Sequence, residues 1–91
     1  MIMITQKARH HIKEMLVAKN RGPSIGMRLV LKPNTGKFAL KFDKERENDH
    51  VISHNNSKVL LIDKAIFGRS GFLTIDFGGI GSFPRLFIVQ R

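Results

Sequence analysis

Cysteine is missing from all 91 residues, and this absence excludes more chemistry than any motif suggests. Without it there is no disulfide, no thiolate zinc site, no thiol nucleophile and no iron–sulfur cluster held by cysteines. Tryptophan and tyrosine are also missing, which leaves seven phenylalanines as the only large aromatics. Acids are scarce: seven Asp and Glu stand against sixteen Lys and Arg, a net charge of +9. No apolar run approaches the ~20 residues of a membrane-spanning helix. The longest strong one is "VLLI" at 59–62. The first residues lack the apolar block of a signal peptide. A cytoplasmic protein with no membrane partner is the expectation. The length suits one small domain, 1–91, stabilised by its core and by an oligomer interface.

The positive charge is uneven. Residues 1–41 hold nine Lys or Arg against Glu14 alone, whereas residues 42–64 are close to neutral. A basic field of this kind favours anionic partners, such as an acidic protein surface or a nucleic acid, or it serves solubility alone.

The chain opens with a helical pattern. Thr5 suits the N-cap, and Ala8, Ile12, Met15 and Leu16 share one face with Lys19 at its end. Asn20, Gly22 and Pro23 stop it, so the spacing predicts a helix over 6–19. "GMRLVLK" and "KFALKF" then alternate around the turn Pro33-Asn34-Thr35-Gly36. A four-residue loop sets Leu31 opposite Phe38, Leu29 opposite Leu40 and Met27 opposite Phe42, an apolar face. On the other face Lys32 meets Lys37, Val30 meets Ala39, and Arg28 meets Lys41. Like charges lie opposite one another there, which costs stability unless solvent or an anion screens them.

"DKERENDH" reads as a solvated charged connector, with Lys44 and Arg46 among its acids. "VIS" and "KVLLI" read as strands around the turn His54-Asn55-Asn56-Ser57. "DKAIFGRSG" is an irregular or helical link. "FLTIDF" places Leu73, Ile75 and Phe77 on one face, "GGIGSFP" is a loop, and "RLFIV" is a last strand. The expected class is mainly β or α+β: one N-terminal helix before a meander of about six short strands.

Catalytic chemistry has no visible carrier. His10 and His11 are helix neighbours about 100° apart and cannot easily grip one metal, so they read as surface residues. His50 and His54 flank "VIS"; a mononuclear metal site with nearby carboxylates requires the loop to fold back. No serine sits in a nucleophile elbow, and Asp43, Glu45, Glu47 and Asp49 lack an apolar frame. "GGIGS" lacks the Lys and Ser/Thr of a phosphate loop. No catalytic residue, cofactor or metal ligand is assigned, and a non-enzymatic protein is expected. The remaining candidate is a partner-binding set of Arg28, Lys32, Asn34, Thr35, Lys37 and Lys41. Its phosphate-binding version is a small basic nucleic-acid-binding protein, although the hairpin's aromatics lie on the apolar face and offer no stacking platform.

In order and spacing, "ITQKARHHIKEML", "GMRLVL", "KFALKF" and "VISHNNSKVLLIDKAIFGRSGFLTIDF" together resemble the HesB/IscA-type family, the A-type carriers of iron–sulfur cluster assembly. The resemblance covers nearly the whole chain. Its most telling part is Asp63 followed by "TIDF" at Asp76. It implies a compact β-rich fold opening on a strand and a helix, assembly into dimers or larger oligomers, and iron or a cluster held by three cysteines. One cysteine belongs in the loop after the first long strand and two in a C-x-C pair near the C-terminus. Here the loop position falls in Pro33-Asn34-Thr35-Gly36, and no cysteine exists anywhere. Asn and Thr are poor substitutes for thiolate. The resemblance therefore implies a degenerate member that keeps the fold, self-association and recognition of an assembly partner. A cysteine-free domain of this type also resembles the degenerate N-terminal half of some Nfu-type proteins, which implies docking of target proteins.

Overall fold

The computed structural model describes residues 2–19, 22, 24–69, 71–79 and 84–90. Nine elements follow one another: β1 (Ile2–Ile4), α1 (Gln6–Ala18), β2 (Ile25–Leu31), β3 (Phe38–Lys44), β4 (Asp49–His54), β5 (Ser57–Asp63), α2 (Lys64–Arg69), β6 (Leu73–Gly78) and β7 (Arg85–Gln90). Mostly strands with one long N-terminal helix, this is the expected class. The simple meander is not observed. The strands form two sheets, ordered β1-β6-β7 and β3-β2-β5-β4, and each contains a parallel pair, β1 with β6 and β2 with β5. Helix α1 packs across β5, β6, β4 and β2 and so joins the sheets. The three-residue β1 escapes a reading of periodicity because it is too short to show one. The loop expected over 78–84 and the stop signals Asn20 and Pro23 fall partly or wholly outside the described residues.

Thr5 sets the start of the helix. Its hydroxyl accepts from the Ala8 N–H at 3.2 Å and donates to Asp76 Oδ1 at 2.7 Å, while its own N–H donates to the Ile75 carbonyl at 3.0 Å. The cap is thus also the weld between α1 and β6. From there Ala8 and Ile12 enter one core with Met27, Leu29, Val59, Leu60, Ile62, Leu73 and Ile75. Met15 and Leu16 pack on its edge. The register shift between Ile52 and Ser53 marks a bulge in β5 whose extra residue is Val59, so Val59 and the adjacent Leu60 both reach the core. Beyond it, Lys58 and Leu61 turn to the other face of the sheet, where both pack against Gly26. A Cβ at Gly26 would come within 3.1 Å of the Leu61 side chain, which is why the smallest residue sits there.

The hairpin β2–β3 has the register expected from its turn: Met27–Phe42, Arg28–Lys41, Leu29–Leu40, Val30–Ala39 and Leu31–Phe38 are all paired. Its sheet is strongly coiled, and the connectivity requires this. β3 ends beside the start of β2, at Lys44 opposite Ile25, whereas β4 begins beside the end of β5, at Asp49 opposite Asp63. β3 and β4 are the two outer strands. In a flat sheet these diagonal corners would lie about 22 Å apart. Five chain links reach at most about 18 Å when fully extended. Here they are not extended, because the Asp49 N–H turns back to the Arg46 carbonyl at 3.1 Å. The corners must therefore curl towards each other, in the sense that sheets coil.

Candidate functional site

The expected partner-binding set lies along the hairpin, and the structure divides it in two. Arg28 leaves the set. It is 4% exposed, under the strap 45–48 that closes the diagonal. Its Nε donates to Asp43 Oδ2 at 2.7 Å, its two terminal nitrogens donate to the two oxygens of Asp49 at 2.6 Å each, and one of them also donates to the Lys44 carbonyl at 2.9 Å. The Asp49 side chain is 1% exposed and that of Asp43 22%. One guanidinium thus ties both ends of the strap, with a two-pronged grip on Asp49 that only Arg geometry allows. Asp43 and Asp49 correct a second expectation. They are not part of a solvated loop but the counter-charges of Arg28, Asp49 with a buried carboxylate and Asp43 with a half-buried one.

The electrostatics follow from this geometry. The Arg28 hydrogen bonds, helped by the Arg46 N–H, hold the Asp49 carboxyl below its usual range against the opposing effect of burial. Asp43 is held low first by the Lys44 N–H and then by Arg28. Arg28 is raised further above its already high value, chiefly by Asp49, and stays protonated.

The tip of the hairpin is different. Lys32, Asn34, Thr35, Lys37 and Lys41 are all exposed, and the three lysines have no ion-pair partner among the described residues. The turn holds itself. The Lys32 N–H donates to the Lys37 carbonyl at 2.8 Å, and the Gly36 N–H donates to the Lys32 carbonyl at 2.8 Å. Gly36 has φ +69°, where a side chain would strain the backbone. The Lys37 N–H donates to the Thr35 hydroxyl at 3.3 Å, so Thr35 serves the turn and still has its proton to offer outward. Phe38 and Phe42 pack against the core.

The histidines disperse. His50 lies against Phe67, with ring centres 4.5 Å apart, whereas His54 meets His10 edge-on at 6.1 Å. Among the described residues no group of three His, Asp or Glu could hold a metal ion, so the site expected from His50, His54 and nearby carboxylates does not assemble. His11 is not a plain surface residue. It stacks on Phe77 at 3.9 Å and 16°. The residues that sequence reasoning underused are the acids. Asp63 Oδ1 accepts from the Ala65 N–H at 2.9 Å and starts α2. Asp76 accepts from Thr5 and from the Phe77 N–H at 2.8 Å, and the Thr5 bond leads in lowering its pKa. Among the described residues no helix is long and apolar enough to cross a membrane.

No family model matches the chain, and no curated protein matches it in sequence. Solved structures do match in shape. The crystal structure of Escherichia coli SufA, involved in biosynthesis of iron–sulfur clusters, superposes with a TM-score of 0.72 at 22% identity, covering 98% of this chain and 84% of that one. The crystal structure of IscA with its [2Fe–2S] cluster superposes with a TM-score of 0.62 at 10% identity, covering 99% of this chain and 85% of that one. The chain is therefore built on the HesB/IscA fold of the A-type iron–sulfur carriers. Its residues do not fit the cluster. The chain has no thiolate, and the turn 33–36 offers an amide and a hydroxyl between flanking ammonium groups.

Proposed function

We propose that this chain is a non-enzymatic accessory of iron–sulfur cluster assembly that binds protein and carries no cluster. The observation that carries this reading is the pairing of a carrier fold with a sequence lacking every cysteine. The proposed contact surface is the hairpin tip: Lys32, Asn34, Thr35, Lys37 and Lys41, without Arg28. Its partner is an acidic protein surface, because three exposed lysines there have no intramolecular counter-charge among the described residues. Self-association belongs to the same proposal. Met3, Phe87 and Val89 are exposed on strands β1 and β7, which flank β6 in the smaller sheet, and give it apolar surface.

Anaerobic reconstitution with iron and sulfide tests the first half. No stable chromophore and no retained iron are expected, and a stable cluster with stoichiometric iron would sink the reading. Capture from native lysate by wild-type protein and by a Lys32→Glu/Lys37→Glu/Lys41→Glu variant tests the second half. Protein partners that are salt-sensitive and lost with the variant are expected. Nucleic acid recovered in their place would favour the basic nucleic-acid-binding alternative.

A further inference from the structure

Apart from the hairpin tip, the molecule has a cleft of about 520 Å³ between the second half of α1 and the β4–β5 hairpin. Ile25, at the start of β2, lines it, whereas the lysine tip follows the other end of that strand. The two surfaces therefore lie at opposite ends of the sheet and can be tested separately. Leu16, Val17, Ile25 and Val51 make the cleft's apolar lining. Val17 is 72% exposed, a large apolar residue left in water on a helix whose other large apolar residues, Ile12, Met15 and Leu16, are packed.

The charges around the cleft are one-sided. Among the described residues no carboxylate lines it. Lys58 borders it but is engaged by Glu45 at 2.8 Å. Lys13 also lines it, half-buried, and has no ion-pair partner among the described residues. Across from α1, Ser53 and Ser57 add hydroxyl groups. A cleft of this size with apolar lining, one unmatched cation among the described residues and a few hydrogen-bonding groups has the form of a small-molecule site, not of a flat protein interface. The Lys13 ammonium calls for a negative charge, and the apolar lining calls for a hydrocarbon body.

We infer that this cleft binds a small amphipathic monoanion, an unbranched aliphatic carboxylate whose head group pairs with Lys13 and whose tail covers Leu16, Val17, Ile25 and Val51. This goes beyond the accessory role and does not depend on it.

The test is an NMR titration of the ¹⁵N-labelled full chain with sodium octanoate, sodium decanoate and decanol, each below its aggregation limit. Decanoate shifts are expected to centre on Lys13, Val17, Val51 and Ser53 and to spare Lys32 and Lys37. Each added methylene should tighten binding roughly fourfold, so decanoate should bind roughly tenfold or more tighter than octanoate. Lys13→Met should weaken decanoate roughly tenfold and bring it level with decanol. Val17→Glu, at an exposed helix position that leaves the core untouched, should weaken decanoate more than decanol and keeps the test valid if Lys13→Met folds poorly. Equal affinity for acid and alcohol, shifts centred elsewhere, or no shift in the millimolar range would overturn the inference.

Discussion

Arg28 lies within β2 and Lys32 directly follows its last residue, on the same side by alternation, and each faces a lysine across the hairpin, Lys41 and Lys37 respectively. Arg28 becomes a buried charge, 4% exposed, and Lys32 stays in water. The hairpin does not explain the difference. It comes from the connector that follows, whose ends bring Asp43 and Asp49 to the root of the hairpin and bring nothing to its tip. Like charges opposite each other are tolerated in both places for different reasons. At the root the guanidinium is drawn towards two carboxylates and a carbonyl, and at the tip water and salt screen the pair.

The largest expected effect comes from breaking the root. Removing one partner of a buried ion pair leaves the other charge uncompensated, at a cost of about 3–5 kcal/mol. Arg28→Met should lose that much stability in urea unfolding, and Arg28→Lys should recover only part of it, because an ammonium cannot grip both oxygens of Asp49 while reaching Asp43. Lys32→Met, the matched change at the tip, should stay within about 0.5 kcal/mol. Equal costs at the two positions would remove the distinction between root and tip.

Acid should separate them next. Asp43 and Asp49 have folded pKa values below their ordinary ones. A group whose pKa is depressed by folding contributes stability that is complete above its unfolded value, about 3.9 for Asp, and that is lost as pH falls towards the folded value. Stability should therefore hold from pH 7 to about 5 and fall steeply below about 4. The wild type should lose more than Arg28→Met, so that the gap between their urea midpoints narrows on acidification. Asp76, held low by Thr5, is expected to titrate alike in both proteins and to cancel in that difference. Variants of the tip lysines should follow the wild-type acid curve, since the ion-pair partners of Asp43 and Asp49 are Arg28 and Arg46.

What the sequence made legible was local. The turn chemistry at 33–36 and strict alternation set the register of the β2–β3 ladder, from Met27–Phe42 to Leu31–Phe38, and Thr5 announced the helix three residues ahead of the N–H it caps. The fate of Arg28 was not legible, because the acids that bury it sit 15 and 21 residues away in a segment whose composition reads as solvated. The parallel pairs β1–β6 and β2–β5 were hidden for the same reason. Val59 and Leu60 facing one core break the alternation on which face assignments rest, and only the bulge explains them. At the candidate site the tip's position and exposure could be read from its turn residues. Its separation from Arg28 needed the third dimension.

The smallest effect is also the one that ties stability to function. Lys32 and Lys37 flank the turn, joined by a backbone hydrogen bond of 2.8 Å, so two residues of like charge stand opposite each other. Changing Lys32→Glu converts repulsion into attraction and should stabilise the fold by about 0.2–1 kcal/mol, less at high salt. If the pair is kept for binding, the same change should weaken capture of the acidic partner while raising the urea midpoint. Opposite signs for stability and capture would mark the tip as a surface held at a small cost for recognition. A gain in stability with capture unchanged would leave the lysines as solubilising charges and shift the search for the partner surface to another face.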